Sequence, residues 1–199
     1  MSGEPLLLNL GAGPHGGARI PSFFDGWQQV RIDIDAGVDP DIVANMIDLA
    51  AVESDSVDAI WSAHCVEHLY QHEVGQALAE MRRVLKSSGF ACILVPDLQT
   101  IAHYVAADRI DDVIYTSPIG PITAHDVLFG YGPAIAGGKL QMAHRSGFTP
   151  TAMVNHLKRA NFAQFVLRRR ASLELAVVAR KTPWSDPTEH ETLLRQLGL

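Results

Sequence analysis

Five short apolar runs in the first hundred residues constrain this chain more than any other feature. Leu6-Leu7-Leu8-Asn9-Leu10, Val30-Arg31-Ile32-Asp33-Ile34, Ile42 to Ile47, Val57-Asp58-Ala59-Ile60-Trp61 and Phe90-Ala91-Cys92-Ile93-Leu94-Val95 are bounded by Gly, Pro or Asp. Runs so short and so rich in Leu, Ile and Val read as strands covered on both faces, as in a parallel sheet. Between the last two, Val74, Ala77, Leu78, Met81, Val84 and Leu85 recur at helical spacing. They predict a helix over 72–86, ended by Ser87-Ser88-Gly89 with a left-handed glycine cap. Helix, glycine turn and strand form the second half of a βαβ unit, so the expected class is α/β, a doubly wound, mostly parallel Rossmann-like sheet.

The second half reads differently. Residues 108–147 concentrate glycine and proline and predict an inserted cover or lid rather than sheet. Thr149-Pro150 is an N-cap and first-turn pair for a helix over 151–160. Residues 162–170 and 173–179 predict two adjacent antiparallel strands, and Asp186-Pro187-Thr188-Glu189 a capping box opening a short helix. The expected organisation is one domain over 1–185, with 108–147 as its lid, and a helical tail over 186–199. Leu193, Leu194 and Leu197 on one side of that tail could serve a homodimer.

Composition narrows the class further. Sixteen Lys and Arg against 22 Asp and Glu leave a charge of -6, the wrong sign for a general nucleic-acid or anionic-membrane binder. Cys65 and Cys92 lie inside apolar runs and offer neither a disulfide framework nor a cysteine zinc site. The start lacks the basic flank of a signal peptide and no apolar run approaches a membrane span, so a cytoplasmic setting is expected.

Gly11-Ala12-Gly13-Pro14-His15-Gly16 fits G-x-G-x-x-G directly after the first run, and Asp33 follows Gly13 by 20 residues at the end of the second. Such glycines let a ligand touch the backbone, and an acid there accepts hydrogen bonds from a ribose. The bland alternative is a strand-ending turn beside a solvated Asp. A dinucleotide also needs its pyrophosphate on a helix N-terminus. Pro14 interrupts the motif, and Pro21 would break any helix begun at Gly16-Gly17-Ala18-Arg19-Ile20. A ligand with ribose and adenine but no phosphates, such as S-adenosylmethionine, suits the bend better.

Leu7-Leu8-Asn9-Leu10-Gly11-Ala12-Gly13, Gly26-Trp27, Val30 to Asp35, Asp48-Leu49, Asp58 to His64, Glu67-His68-Leu69, Arg83 to Lys86 and Val95-Pro96-Asp97 follow one another in order. This series resembles the small type-11 branch of class I S-adenosylmethionine-dependent methyltransferases. The resemblance implies that Asn9, Gly11, Ala12 and Gly13 border the methionine and ribose of the cofactor. Asp33 and Ile34 would hold the ribose side, Asp48 with Leu49 the adenine edge, and Ser62, Ala63 and His64 the region near the sulfonium. Asn9 stands where the family often has an acid, and His15 where it often has a glycine.

His64-Cys65-Val66-Glu67-His68 matches H-x-x-E-H, an inverted zinc-protease signature. Because His64 follows directly on the fourth apolar run, helical i, i+4 geometry is not assured, and no bound metal is expected. His64, at the sheet edge where open α/β sheets bind ligands, is the candidate general base, with a pocket-shaping His as the alternative. Glu67 and His68 are expected to brace the loop. Asp97, His125, Tyr131 and His144 are candidate acceptor contacts, against loop and turn roles, while Arg168-Arg169-Arg170 is expected to be a solvated run. The expected activity is methyl transfer to a small-molecule acceptor or exposed group by in-line displacement. The alternatives are a non-catalytic binding module on the same fold and an NAD-dependent oxidoreductase.

Overall fold

A computed structural model describes residues 3–16, 20–186 and 188–199. The strands β1 (Leu6–Leu10), β2 (Gln28–Asp33), β3 (Ile42–Val43) and β4 (Val57–Ala63) precede α1 (Val74–Val84), β5 (Leu85–Pro96) and α2 (Leu98–Ala106). The segment expected as a lid contains β6 (Val113–Ser117), β7 (Gly120–Thr123), α3 (Ala124–Phe129) and α4 (Gly132–Ala136). The chain closes with α5 (Pro150–Arg159), β8 (Gln164–Arg169), β9 (Glu174–Arg180) and α6 (Glu189–Leu197).

One seven-stranded sheet has the order β3-β2-β1-β4-β5-β9-β8. The five strands from β1 to β5 run parallel, while β9 is antiparallel to β5 and β8 to β9. This is the Rossmann-like arrangement with an antiparallel C-terminal pair. Successive residues face opposite sides: Leu8, Leu10 and Ile60 join one core with α1 and α5, while Leu7, Ala59 and Trp61 join the other with Phe24 and α6. Both faces being covered explains why the strands read as continuous apolar runs. Strand order reverses between β1 and β4, which opens a crevice at their C-terminal ends.

Several local expectations are corrected. Strand β3 is two residues long rather than reaching Ile47. Helix α1 ends at Val84, and β5 starts at once from Leu85 without a glycine cap. Gly89 instead lies inside β5, where a Cβ would meet the Asp58 and Val57 carbonyl oxygens at 2.9 and 3.1 Å. The lid segment does contain sheet, the β6–β7 hairpin, and a Thr123–Asp126 capping box opens α3. Thr149 caps α5 as expected, its side chain accepting from the Ala152 amide.

The capping box expected over 186–189 includes Pro187, which lies outside the described residues. Of its other members, Asp186 Oδ1 accepts from the Thr188 amide. Leu194 and Leu197 of α6 are buried in the second core, with Leu193 packed against it, so they are not a free dimer patch. The absence of a helix after the glycine bend was expected partly from Gly17, Ala18 and Arg19, which also lie outside the described residues. No helix among the described residues is long and apolar enough to cross a membrane.

Candidate active site

The site is built on the bend after β1. Gly11 has φ 68° and Gly13 φ 60°, a left-handed backbone that glycine adopts without a Cβ penalty. The Gly11 and Ala12 amides both donate to the Ile32 carbonyl, at 2.9 and 3.2 Å, which locks the bend to β2. At the end of β2, Asp33 Oδ2 accepts from the Gly13 amide and Oδ1 from the Asp35 amide, each at 2.9 Å. Each carboxylate oxygen retains capacity for a further bond.

Arg31 is a member of this frame that the sequence reading passed over. Its guanidinium is buried and donates to the carbonyls of Gly13, Val38 and Asp39 at 2.5, 3.3 and 2.6 Å. His15 Nε2 accepts from the same group at 2.6 Å, so His15 helps hold the bend instead of opening it as a glycine would. The available signal was a cation inside the apolar run of β2.

A cavity of about 560 Å³ opens above this bend, within the range typical of small-ligand sites. Gly11, Gly13, Asp33, Ile34 and His64 line it from the sheet, and Tyr131, Gln141 and Arg145 from the cover. Gln141 Nε2 donates to Asp35 Oδ2 at 3.3 Å, tying cover to sheet edge. Tyr131 donates to the Ile119 carbonyl at 2.8 Å. A smaller cavity of about 170 Å³ shares His64, His68 and Tyr131 with the first and adds Glu67, His144 and Glu174.

The other predicted cofactor residues stand elsewhere. Asn9 and Ala12 are buried behind the bend, and Ser62 and Ala63 lie in β4 outside the cavity wall. Asp48 and Leu49 also stand off the cavity wall. Asp48 is exposed and accepts from the Ala50 amide, while the Leu49 amide donates to Glu80 Oε2. Because β3 ends at Val43, the chain crosses the cavity rim at Ala44, Asn45 and Met46, earlier than the apolar run to Ile47 implied.

His64 lines both cavities. It sits just past β4 with φ 52°, which turns its ring between two carboxylates. Nε2 is 2.7 Å from Glu174 Oε1 and Nδ1 is 3.4 Å from Glu67 Oε1. Desolvation lowers its pKa, but the hydrogen bond to Glu174 and the nearby Glu67 carboxylate outweigh it, and the value is pushed up to about 10. Both ring nitrogens therefore face carboxylates. The left-handed turn also breaks the helical register of H-x-x-E-H, because only Val66–His68 form a single helical turn. Burial pushes the neighbouring Cys65 thiol up, aided by the charges of Glu67 and Asp33, so it stays protonated.

Among the acceptor candidates, Tyr131 lines both cavities and His144 the smaller one. His125 is exposed, packs against Phe129 and borders neither cavity. Its neighbour Asp126 is used up in the α3 cap and on the Gly132 amide. Asp97 is buried and caps α2, accepting from the Gln99 and Thr100 amides and, at 2.7 Å, from Arg169. The Arg168–Arg170 run is therefore not merely solvated: Arg168 pairs with Glu191, Arg169 with Asp97 and Arg170 with Glu174.

Burial raises the Asp97 pKa, but the Arg169 and Thr100 hydrogen bonds win and hold it below the usual carboxylate range. Its contribution to stability is therefore complete above the unfolded value near ~3.9 and fades as pH falls through the native value. Asp97→Asn is expected to cost about 1–2 kcal/mol at neutral pH. Urea unfolding should show this difference shrinking in acid, with ligand affinity at the cavity unchanged.

Comparison with known proteins adds to this geometry. No match is found among curated proteins. Residues 10–93 match the family model described as "Methyltransferase domain". That match covers less than half of the chain and shows what this stretch is similar to. The solved structures similar to this chain share its fold at low identity. A Pyrococcus horikoshii protein is 18% identical with a TM-score of 0.61, covering 89% of this chain and 82% of its own. An Archaeoglobus fulgidus SAM-dependent methyltransferase is 13% identical at TM-score 0.57, covering 90% and 87%. The Burkholderia thailandensis 1,6-didemethyltoxoflavin-N1-methyltransferase, solved with S-adenosylhomocysteine, is 17% identical at TM-score 0.54, covering 90% and 72%.

Proposed function

We propose that this chain is a methyltransferase that binds S-adenosylmethionine in the larger cavity and methylates a small molecule, or an exposed group of a larger one, entering through the smaller cavity. The observation that carries this reading is the pairing of a φ-positive glycine bend with Asp33 on one wall of a cavity of about 560 Å³. Glycine backbone at Gly11 and Gly13 lets the methionine end pass close to the chain, and the spare acceptor capacity of Asp33 suits a ribose diol. Ile34, 56% exposed although apolar, and Met46 offer the flat apolar contact that an adenine ring needs. When bound, the cofactor supplies an electrophilic methyl group on an already activated leaving group.

The chain's contribution is then alignment and exclusion of water rather than proton removal. The cover residues Tyr131 and Arg145 shield the cavity. The His64 imidazolium, fixed between Glu67 and Glu174, positions the wall shared by the two cavities.

Calorimetric titration with S-adenosylhomocysteine tests the reading. One saturable site is expected, with NADH giving no heat. Absence of binding by S-adenosylhomocysteine would overturn it.

A further inference from the structure

The single helical turn Val66–His68 directs Glu67 into the protein, where its side chain is 1% exposed. Both Glu67 carboxylate oxygens lack a hydrogen-bond partner among the described residues. The 3.4 Å approach of His64 Nδ1 is an ion pair without hydrogen-bond geometry. A buried carboxylate left this way is costly, and native proteins satisfy such groups with a donor, a water or an ion.

Two imidazoles converge on it. The rings of His68 and His144 are 4.9 Å apart between centroids, and His144 Nε2 is 4.0 Å from Glu67 Oε1. In both rings Nδ1 faces a backbone carbonyl, Ala143 O at 3.2 Å from His68 and Val127 O at 2.8 Å from His144. A carbonyl can only accept, so Nδ1 donates there, which in a neutral imidazole leaves the lone pair on Nε2. This outer hydrogen bond is the arrangement that orients metal-ligating histidines. One donor atom each from Glu67, His68 and His144 lies within 4.8 Å of the others. Ligands about 2.0–2.2 Å from a tetrahedral ion stand roughly 3.4 Å apart, so small side-chain rotations close the site.

We propose that Glu67, His68 and His144 bind one divalent first-row transition-metal ion at the junction of cover and sheet. Two imidazoles and one carboxylate suit zinc or ferrous iron and disfavour magnesium and calcium, which prefer all-oxygen sites. Glu67 and His68 come from the turn after β4, and His144 from the cover. The ion would therefore staple the cover to the sheet beside the smaller cavity, which all three residues line. The backbone is already set there, since the Arg145 and Ser146 amides donate to the Glu67 carbonyl at 2.9 and 3.1 Å. His64 is not needed as a ligand, because its Nε2 is committed to Glu174.

The test is titration of the chelator-treated full chain with Zn²⁺, and anaerobically with Fe²⁺, against a chromophoric competitor, with Mg²⁺ as control. One equivalent of Zn²⁺ or Fe²⁺ is expected to bind, and Mg²⁺ is not. His144→Ala and His68→Ala should each weaken that binding by about tenfold or more, while His125→Ala, in the same segment but outside the cluster, should leave it unchanged. Bound Co²⁺ should give the visible absorption of a low-coordinate site, lost in His144→Ala. No saturable binding of Zn²⁺ or Fe²⁺ at micromolar concentration would overturn the proposal, as would affinity unaltered in both ligand variants. Binding of S-adenosylhomocysteine, measured on the same metal-free protein, reports on the methyltransferase reading independently of either result.

Discussion

Asp33→Ala is expected to weaken S-adenosylhomocysteine binding by about 10- to 150-fold, the equivalent of ~1.5–3 kcal/mol for hydrogen bonds to a charged group. The side chain is placed to do two things at once. It holds the Gly13 and Asp35 amides, and it presents its remaining acceptor capacity to the cavity. Removing it therefore loosens the bend as well as deleting contacts to the ribose. Asp33→Asn separates the two effects, since the amide oxygen can still accept from one backbone amide while the charge is lost. Asp48→Ala is the informative control. Resemblance alone would have it read adenine, yet it lies exposed on a local turn, so its affinity should match wild type. Isothermal titration of the four proteins checks the set, and equal affinity in Asp33→Ala and wild type would remove Asp33 from the site.

The sheet was legible because most of its strands are covered on both faces, so β1, the second half of β2, β4, the core of β5 and β9 announce themselves as short, mostly apolar runs. The glycine bend and Asp33 were legible because backbone conformation and strand spacing dictate residue type there. Features set by distant partners were not legible. Nothing local distinguishes Asp48 from Asn45 until the end of β3 is known, because β3 pairs with β2 only through Ile42 and Val43. His64 looked like a free base until Glu174, 110 residues away, was found against it. Asp97 looked like a loop acid until Arg169 and the first turn of α2 accounted for its oxygens. The Glu67–His68–His144 cluster was half visible in H-x-x-E-H, but the histidine that completes it comes from the cover, whose path no sequence period encodes.

Gly11→Ala should be among the most damaging single-methyl changes in the protein. A Cβ there would lie 2.3 Å from Cys65 Sγ and 2.7 Å from Cys65 Cβ, on a backbone with φ 68°. Left-handed strain costs about 1–2 kcal/mol for a residue with a Cβ, and overpacking about 1–3 more. The expected loss is therefore about 2–5 kcal/mol, or roughly 4–20 °C in Tm for a domain of this size. Gly13→Ala makes the contrast. Its Cβ would meet nothing within 4 Å at φ 60°, so only the strain remains, but the new methyl projects from a cavity-lining residue and should impair cofactor binding. Cys65→Ala in the Gly11→Ala background removes the Sγ contact and keeps the Cβ contact. A double-mutant cycle should then show coupling of about 0.5–3 kcal/mol in the restoring direction. Additive losses in thermal melts would mean that backbone strain, and not the approach of Cys65, is what reserves position 11 for glycine.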